Sequence, residues 1–557
     1  MPARPMPRSA TSARTFLRRL PFAAYALLLV AAGIGQALSL AVPGLGQPLD
    51  WLQLLSLAVL YVVLDAQADA GAEAPARRAA IGRGAWAGGL FATAWLCGTF
   101  WWLFISMHTY GGLPAPFAAL AVLALAAFLA LYYAAAGAAF VAWAPVRPVV
   151  RAVLFVALWT LAELLRGSWF TGFPWGAGGY AHVDGVLGAT ARLVGVYGTG
   201  ALAAWVVCMV LLALRGPALR TRGLAVLLLV PVALLAQAGR QGYSQGTGAL
   251  EVALLQGNIP QDEKFQPGTG VTDALRWYGE QLRDARAPLV VAPETALPVL
   301  PQQLPAGYWD ALRARFAEGG QAALIGVPLG SLHEGYTNSV VGFGPPAAGA
   351  AGAAGTPDAP LYRYDKHHLV PFGEFIPMFF RWFTELMNIP LGDFNRGAVG
   401  QASFAWQGQR LAPNICYEDL FGDELGTRFA DPAQAPTVFV NVSNIGWFDD
   451  SVAIDQHLLI SRLRAIEFER PMIRATNTGA TALIDHEGRV LQALPRLTRG
   501  TLAGSVEGRS GLTPYAWWVS RWGLAPLWAL CVAVVAVAAA ASGARRRASA
   551  ASWARHT

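Results

Sequence analysis

Three titratable residues of different types each follow a short apolar run in the second half of the chain. Glu294 stands in VVAPETALP, Lys366 in YRYDKHHLV and Cys416 in LAPNICYED. A buried carboxylate can act as the base that activates a thiol, and the thiolate can attack a carbonyl carbon. A compact ammonium can stabilise the oxyanion that forms. These residue types together predict acyl transfer through a thioester on the cysteine.

Lysine is rare in this chain and occurs only as Lys264 and Lys366, whereas the other basic side chains are arginines. Lysine is a point charge whose pKa responds to its surroundings, which favours a chemical role for Lys366. We expect Lys264 to be solvent-exposed. His367 and His368 could suggest a metal site, but neighbouring strand residues point to opposite faces and no further ligands cluster beside them. No metal is expected.

Cysteine usage also singles out one residue. Cys97, Cys208 and Cys531 lie in apolar segments, so Cys416 has no disulfide partner in its own region. A lone cysteine outside the cytoplasm is a candidate nucleophile, and the alternative is a buried core thiol.

The composition is that of a membrane protein. Of 557 residues, 55% are hydrophobic and 13% are charged, and the mean hydropathy is +0.41. The net charge of +7 does not predict a nucleic-acid partner, because the arginines flank apolar segments. Eight apolar segments are predicted to span the bilayer: 20–41, 51–66, 85–106, 115–144, 149–165, 189–214, 223–238 and 523–541.

The arginines indicate the topology. They cluster at alternate ends of the predicted spans, and the loops 42–50 and 107–114 contain neither arginine nor lysine. The positive-inside rule then places both termini in the cytoplasm of a bacterium and the region after the seventh span outside its inner membrane. The predicted domains are a transmembrane domain (1–244), an extracytoplasmic catalytic domain (245–515), and a final span with a basic tail (516–557).

Short apolar runs alternate with amphipathic stretches from Leu250 onward, which predicts an α/β layered domain. Residues 345–360 are of low complexity and are expected to form a surface loop. Residues 376–394 are rich in aromatic side chains, and we expect an arm that dips into the outer leaflet. A buried core helix is the alternative for that segment.

Six motifs carry a resemblance to a known family: LLQGNIPQ, APETALP, YDKHHLVPFGEFIP, NICYED, NVSNIGWF and RLRAIEFERPMIRATNTG. They resemble the nitrilase (carbon-nitrogen hydrolase) superfamily. The surrounding spans make the chain similar to the membrane-embedded branch of that superfamily, the apolipoprotein N-acyltransferases. The resemblance implies an αββα sandwich and no cofactor.

The resemblance also implies a reaction and a set of site residues. Cys416 would take an acyl chain from a membrane phospholipid and pass it to the N-terminal amine of a lipoprotein's S-diacylglyceryl-cysteine. Glu294 would be the general base, Lys366 would stabilise the oxyanion, and Glu374 would orient that lysine. The expected supporting or substrate-binding residues are Asn338, Tyr417, Glu418, Trp447, Glu467, Arg470 and Phe265, of which Phe265 stands where relatives commonly have tryptophan.

Two other functions remain open from the sequence. A membrane-tethered amidase that hydrolyses a small extracytoplasmic substrate would share the three central residues without needing eight spans. A transporter or a lipoprotein-binding scaffold would carry an inactive domain. For Trp447, Glu467 and Arg470, packing and a structural ion pair are the alternative to a direct role.

Overall fold

The computed structural model describes residues 21–70, 76–216, 218–318, 320–345, 361–376 and 393–553. Residues 346–360 and 377–392 lie outside this description, so the surface loop and the membrane-dipping arm remain predictions. The N-terminal part is helical: α1 (Phe22–Leu38), α2 (Asp50–Ala70), α3 (Arg77–Phe100), α4 (Ala115–Trp143), α5 (Pro148–Ser168), α6 (Ala191–Arg215), α7 (Leu219–Leu227) and α8 (Val230–Gly239).

Each predicted span coincides with helical structure, although the spans differ in length. By length and hydropathy, six helices of the described residues can cross a membrane, or seven when α3 and its continuation Leu103–Tyr110, bent by 62°, count as one. The helix α1 has 17 residues and is shorter than the roughly 20 that a span requires. The helices α7 and α8 together form one span, Leu219–Gly239.

Two of the arginines that indicate the topology lie at one end of the bundle. Arg151, at the start of α5, pairs with Asp65 at 2.6 Å and Asp69 at 2.8 Å near the end of α2. Arg77, at the start of α3, donates to the carbonyl oxygen of Ala142 near the end of α4 at 2.8 Å. Consecutive helices therefore run in opposite directions, as the alternating arginine clusters require.

The chain then forms two six-stranded sheets. The strands are β1 (Ser244–Gln256), β2 (Leu289–Val291), β3 (Ala322–Ser331), β4 (Gly335–Phe343), β5 (Tyr362–Asp365), β6 (Phe404–Trp406), β7 (Gln409–Ile415), β8 (Val438–Ser443), β9 (Met472–Thr476), β10 (Ala482–Ile484), β11 (Val490–Ala493) and β12 (Gly500–Gly511). The first sheet has the order β12-β1-β2-β3-β4-β5 and the second β11-β10-β9-β8-β7-β6. Strands β1, β2 and β3 are parallel to one another, as are β7, β8 and β9.

The alternation of side chains along the strands produces four layers. In β2, Leu289 and Val291 join the core between the sheets, whereas Val290 packs with the outer helices. The helices α9 (Gly270–Asp284) and α10 (Tyr308–Ala317) cover the first sheet. The helices α11 (Val452–Phe468) and α12 (Pro514–Trp522) cover the second. This arrangement confirms the predicted αββα sandwich.

The helix α11 joins the sandwich to the bundle, and its apolar residues Leu459 and Leu463 share one core cluster with the N-terminal helices. Gln456 accepts hydrogen bonds at Oε1 from the indoles of Trp102 at 3.1 Å and Trp175 at 2.7 Å. After α12 the chain returns to the bundle as α13 (Ala525–Trp553). The two parts are thus packed through a continuous buried surface.

Candidate active site

The candidate site lies where strands of both sheets end. Glu294 follows β2, Cys416 follows β7 directly, and Asn444 follows β8. Ligand and catalytic sites of α/β sheets commonly form at the carboxyl ends of parallel strands. Strand β3 passes close behind the Glu294 turn at Gly326, where an added Cβ would collide with the carbonyl oxygen of Pro293. Glycine is therefore required at that position.

Lys366 is 1% exposed and lies between two carboxylates. Its Nζ is 3.2 Å from Glu294 Oε1 and 2.9 Å from the carboxylate of Glu374. Burial alone would lower the pKa of Lys366, but the Glu294 and Glu374 carboxylates raise it above its usual value. The side chain is therefore a permanent, fixed cation, and Glu374 lies where the resemblance implies.

Asn338 holds the two carboxylates together. Its Nδ2 donates to Glu294 Oε1 and to Glu374 Oε1, both at 2.7 Å. The backbone N–H of Asn444 donates to Glu294 Oε2 at 2.8 Å. Burial by itself would raise the pKa of Glu294, but the Lys366 ammonium and these two donors lower it below its usual value. Glu294 is therefore ionised at neutral pH and ready to accept a proton.

Cys416 has a backbone conformation that non-glycine residues seldom adopt, with φ of +52°. Its carbonyl oxygen accepts hydrogen bonds from Asn441 Nδ2 at 3.2 Å and from His457 Nε2 at 3.1 Å. Arg474 can only donate, and it does so to His457 Nδ1 at 2.7 Å, which leaves the imidazole proton on Nε2. These contacts offset the backbone strain and fix the direction of the thiol.

The Cys416 thiol is protonated at neutral pH. Burial, reinforced by the negative charge of Glu294, raises its pKa to about 12, and the Lys366 ammonium only partly opposes this shift. A thiol in this state requires a base before it can attack a carbonyl group. The arrangement of an ionised carboxylate, a fixed cation and a thiol at neighbouring strand ends is suited to that chemistry.

Glu418 links the Cys416 turn to the lysine segment. Its Oε2 accepts from the backbone N–H of Ile415 at 2.7 Å and from the Tyr364 hydroxyl at 2.8 Å. Its Oε1 accepts from the backbone N–H groups of His367 at 2.7 Å and His368 at 3.2 Å. Glu418 therefore positions the Cys416 turn and the Lys366 segment relative to each other, and its carboxylate is occupied by these four contacts.

Tyr417 joins the site to the bundle. Its hydroxyl donates to the carbonyl oxygen of Gly172 at 3.0 Å, and its ring stacks on Phe173 with centroids 6.2 Å apart. Both partners belong to the loop after α5. The half-buried Trp447 similarly packs edge-on against Tyr110 of the bundle, at 5.9 Å between centroids. The predicted residues Tyr417 and Trp447 thus lie at the joint between the two parts.

The polar contacts of Glu467 and Arg470 are made with residues other than Glu294, Lys366 and Cys416. Glu467 accepts from the backbone N–H of Val196 at 2.6 Å and pairs with Arg464 at 2.7 Å. Arg470 donates to backbone carbonyl oxygens, among them that of Gly511 at 2.6 Å. Glu467 therefore forms a local ion pair with Arg464, three residues earlier on the same helix, and Arg470 secures the end of β12.

The expectation that Lys264 is solvent-exposed is wrong. The side chain is 0% exposed, and its Nζ donates to the carbonyl oxygen of Glu294 at 3.2 Å. The half-buried ring of Phe265 lies 5.9 Å from the same ammonium. The polar neighbours of Lys264 in the sequence suggested exposure, whereas the rarity of lysine in the chain was the signal that could have identified this residue.

We expect Glu467→Ala to destabilise the protein without altering the chemistry of the site. The change leaves Arg464 as an unpaired buried cation, which typically costs about 3–5 kcal/mol. The free energy of unfolding measured in detergent should fall by that order, while the alkylation rate of Cys416 in the remaining folded fraction stays unchanged. A selective loss of Cys416 reactivity at full stability would instead assign Glu467 to the site.

Comparisons with known proteins cover both parts of the chain. Residues 32–209 match the family model described as apolipoprotein N-acyltransferase N-terminal domain, and residues 251–515 match the carbon-nitrogen hydrolase model. A relative from Verminephrobacter eiseniae, named apolipoprotein N-acyltransferase, is 60% identical over 88% of this chain and 92% of its own. Relatives of the same name from Ralstonia nicotianae and Bordetella bronchiseptica are 44% and 42% identical, over 90% and 93% of this chain and 90% and 97% of their own.

The matches extend through the helical bundle and the sandwich, so they include the elements that position the candidate site. The chain belongs to the apolipoprotein N-acyltransferase family and is an acyltransferase enzyme with a carbon-nitrogen hydrolase domain.

Proposed function

We propose that the enzyme transfers a fatty acyl chain from a membrane phospholipid to the N-terminal amine of S-diacylglyceryl-cysteine in lipoproteins, through a thioester on Cys416. The observation that carries this proposal is the position of the Cys416 turn. It lies close enough to the Glu294–Lys366 pair for both charges to act on the thiol, and it is packed, through Tyr417, against the helical bundle. A nucleophile at the joint between a catalytic domain and a membrane bundle can meet a substrate that is anchored in the bilayer.

In the first half-reaction, Cys416 Sγ attacks the ester carbonyl carbon of the phospholipid while Glu294 takes the thiol proton. The Lys366 ammonium stabilises the oxyanion of the tetrahedral intermediate. Collapse of the intermediate breaks the ester C–O bond, and Glu294 returns the proton to the departing lysophospholipid oxygen. The product is an acyl-thioester on Cys416.

In the second half-reaction, the neutral acceptor amine attacks the thioester carbonyl carbon. Glu294 accepts a proton from the amine, and Lys366 again stabilises the oxyanion. The C–S bond breaks, an amide forms, and the proton held by Glu294 restores the thiol. Because the thiol pKa is high, the thiolate leaving group needs the nearby cation and a proton to depart.

We place the arginine-rich end of the bundle in the cytoplasm and the sandwich on the periplasmic side of the inner membrane. The positive-inside pattern supports this orientation, and so does the position of Arg77 and Arg151 at one end of the bundle. Lipoprotein acceptors and outer-leaflet phospholipid would then meet the site on the same side.

The test uses the full chain in vesicles of phospholipid with an isotopically labelled acyl chain. Mass spectrometry should find one labelled acyl group on the peptide that contains Cys416. Addition of a diacylglyceryl-cysteinyl peptide should discharge it and leave the label as an amide on that peptide. An ether-linked phospholipid, which lacks the scissile ester, is the matched control and should give no adduct. Labelled amide formed without any adduct on Cys416 would contradict the proposal.

A further inference from the structure

Both lysines of this chain converge on one residue. Lys366 contacts the carboxylate of Glu294, and Lys264 contacts its main-chain carbonyl oxygen, each at 3.2 Å. Lys264 belongs to the loop between β1 and α9 and is far from Lys366 in sequence. A chain that uses arginine elsewhere therefore places one ammonium against the carboxylate of Glu294 and another against its main-chain carbonyl oxygen.

The loop that carries Lys264 is held in a defined position. The backbone N–H of Asn258 donates to the carbonyl oxygen of Asn477 at 2.8 Å, and that of Ile259 donates to Asn477 Oδ1 at 3.1 Å. Asn444 Nδ2 donates to Gln261 Oε1 at 2.9 Å. Asn444 is also the residue whose backbone N–H binds Glu294 Oε2. Asn444 thus holds both the Glu294 carboxylate and the loop that carries Lys264.

The charges around Lys264 explain why an ammonium could be retained in a buried position. Lys366 faces two carboxylates, those of Glu294 and Glu374, so these three side chains together carry a net charge of −1. Burial lowers the pKa of Lys264 to about 7, while the negative charge of Glu294 favours its protonated form. The Cys416 thiol adds to this effect only when it is ionised, so Glu294 is the charged partner of Lys264 at neutral pH. Near neutral pH, Lys264 is therefore protonated in part of the molecules and neutral in the rest, and it contacts Glu294.

We infer that Lys264 is a positioning residue of the transfer reaction, which anchors the main chain of Glu294 and supplies a second positive charge that keeps this base ionised. The inference rests on the proposed roles of Glu294 and Cys416. It adds a residue that acts through Glu294 and touches neither the acyl donor nor the acceptor.

The inference predicts a change in the pH profile. The Lys264 charge contributes to lowering the pKa of Glu294, so its removal should raise that pKa. The reactivity of Cys416 falls at low pH as Glu294 becomes protonated, and we call this fall the acid limb. Its midpoint should then move upward by about one pH unit, the shift expected for the loss of one nearby opposite charge. A lysine with only a packing role would leave the limb where it is.

The test compares Lys264→Met and Lys264→Gln in the full chain. Methionine removes the charge and the hydrogen bond, whereas glutamine removes the charge and keeps a donor. The readouts are acylation of Cys416 from vesicle phospholipid and its alkylation by iodoacetamide, each measured across the acid limb. Both variants should show the upward shift and a fall of about fivefold in acylation at the original midpoint. Glu263→Gln, an exposed neighbouring charge, is the matched control and should leave the profile unchanged.

Stability gives an independent readout. The pKa of Lys264 in the folded protein is about 7, below the usual lysine value of about 10.4. The folded protein thus binds this proton more weakly than the unfolded chain, so the lysine destabilises the fold below pH 10.4, most fully below pH 7. Lys264→Met should therefore raise the melting temperature at neutral pH while acylation falls.

Two outcomes would overturn the inference. One is an unchanged acid limb in Lys264→Met, and the other is a lower melting temperature with wild-type reactivity in the folded fraction. Alkylation does not require lipid, so it reports on the Glu294–Cys416 pair even if phospholipid fails to acylate the wild-type protein. Failure of the proposed donor and failure of the Lys264 inference are therefore distinguishable.

Discussion

Cys416→Ala is expected to abolish acyl transfer, whereas alanine at Cys97, Cys208 or Cys531 is expected to leave it intact. Cys416 follows β7 directly at the strand ends that carry the Glu294–Lys366 pair. The other three cysteines lie in the helices α3, α6 and α13, outside the sandwich. Removal of the nucleophile from a covalent mechanism typically costs on the order of 10⁶ in kcat. The measurement is the rate at which N-acylated peptide forms in vesicles.

Cys416→Ser should also fail, because a hydroxyl at its ordinary pKa is much harder to ionise than a thiol. The control for both variants is an unchanged melting temperature, since either small side chain fits the space of the thiol. Continued N-acylation by Cys416→Ala at a comparable rate would exclude the thioester mechanism and favour direct transfer from lipid to amine.

Lys366→Arg is expected to lower the rate of Cys416 acylation by about 10²–10³, although the charge is retained. The ammonium is buried and lies 3.2 Å from Glu294 Oε1 and 2.9 Å from the Glu374 carboxylate. A planar guanidinium is larger and distributes its charge over a fork, so it cannot occupy the same point between these carboxylates. A lower rate in this variant would therefore show that the reaction requires the charge at the position of the ammonium, since the charge itself is still present.

The matched control is the reverse exchange at a neighbouring surface position. Arg363→Lys keeps a positive charge beside Asp365, where the arginine side chain is 49% exposed and pairs at 2.8 Å. This variant should retain nearly full activity. If Lys366→Arg turned over as fast as Arg363→Lys, the position of the ammonium would not matter, and Lys366 would not stabilise the oxyanion.

The sequence by itself determined the class of the protein and indicated its candidate catalytic residues. Long apolar segments and flanking arginines are local patterns, so they predict membrane helices without knowledge of their packing. The alternation of short strands and amphipathic helices predicted an α/β layered domain for the same reason, and the resemblance of the motifs implied the αββα sandwich. Glu294, Lys366 and Cys416 could be proposed as catalytic residues because each stands in a short motif whose residue types suggest its chemistry.

Only the tertiary structure decided which groups surround these residues. The bridge from Asn338 to both carboxylates and the support of the Cys416 carbonyl by His457 join segments that are distant in sequence. Glu467 accepts a hydrogen bond from the backbone N–H of Val196, which belongs to the helical bundle. Lys264 lies among polar residues in QDEKFQP, yet it is buried. Burial and pairing of this kind depend on which strand ends meet in space, and a local sequence pattern carries no information about those long-range contacts.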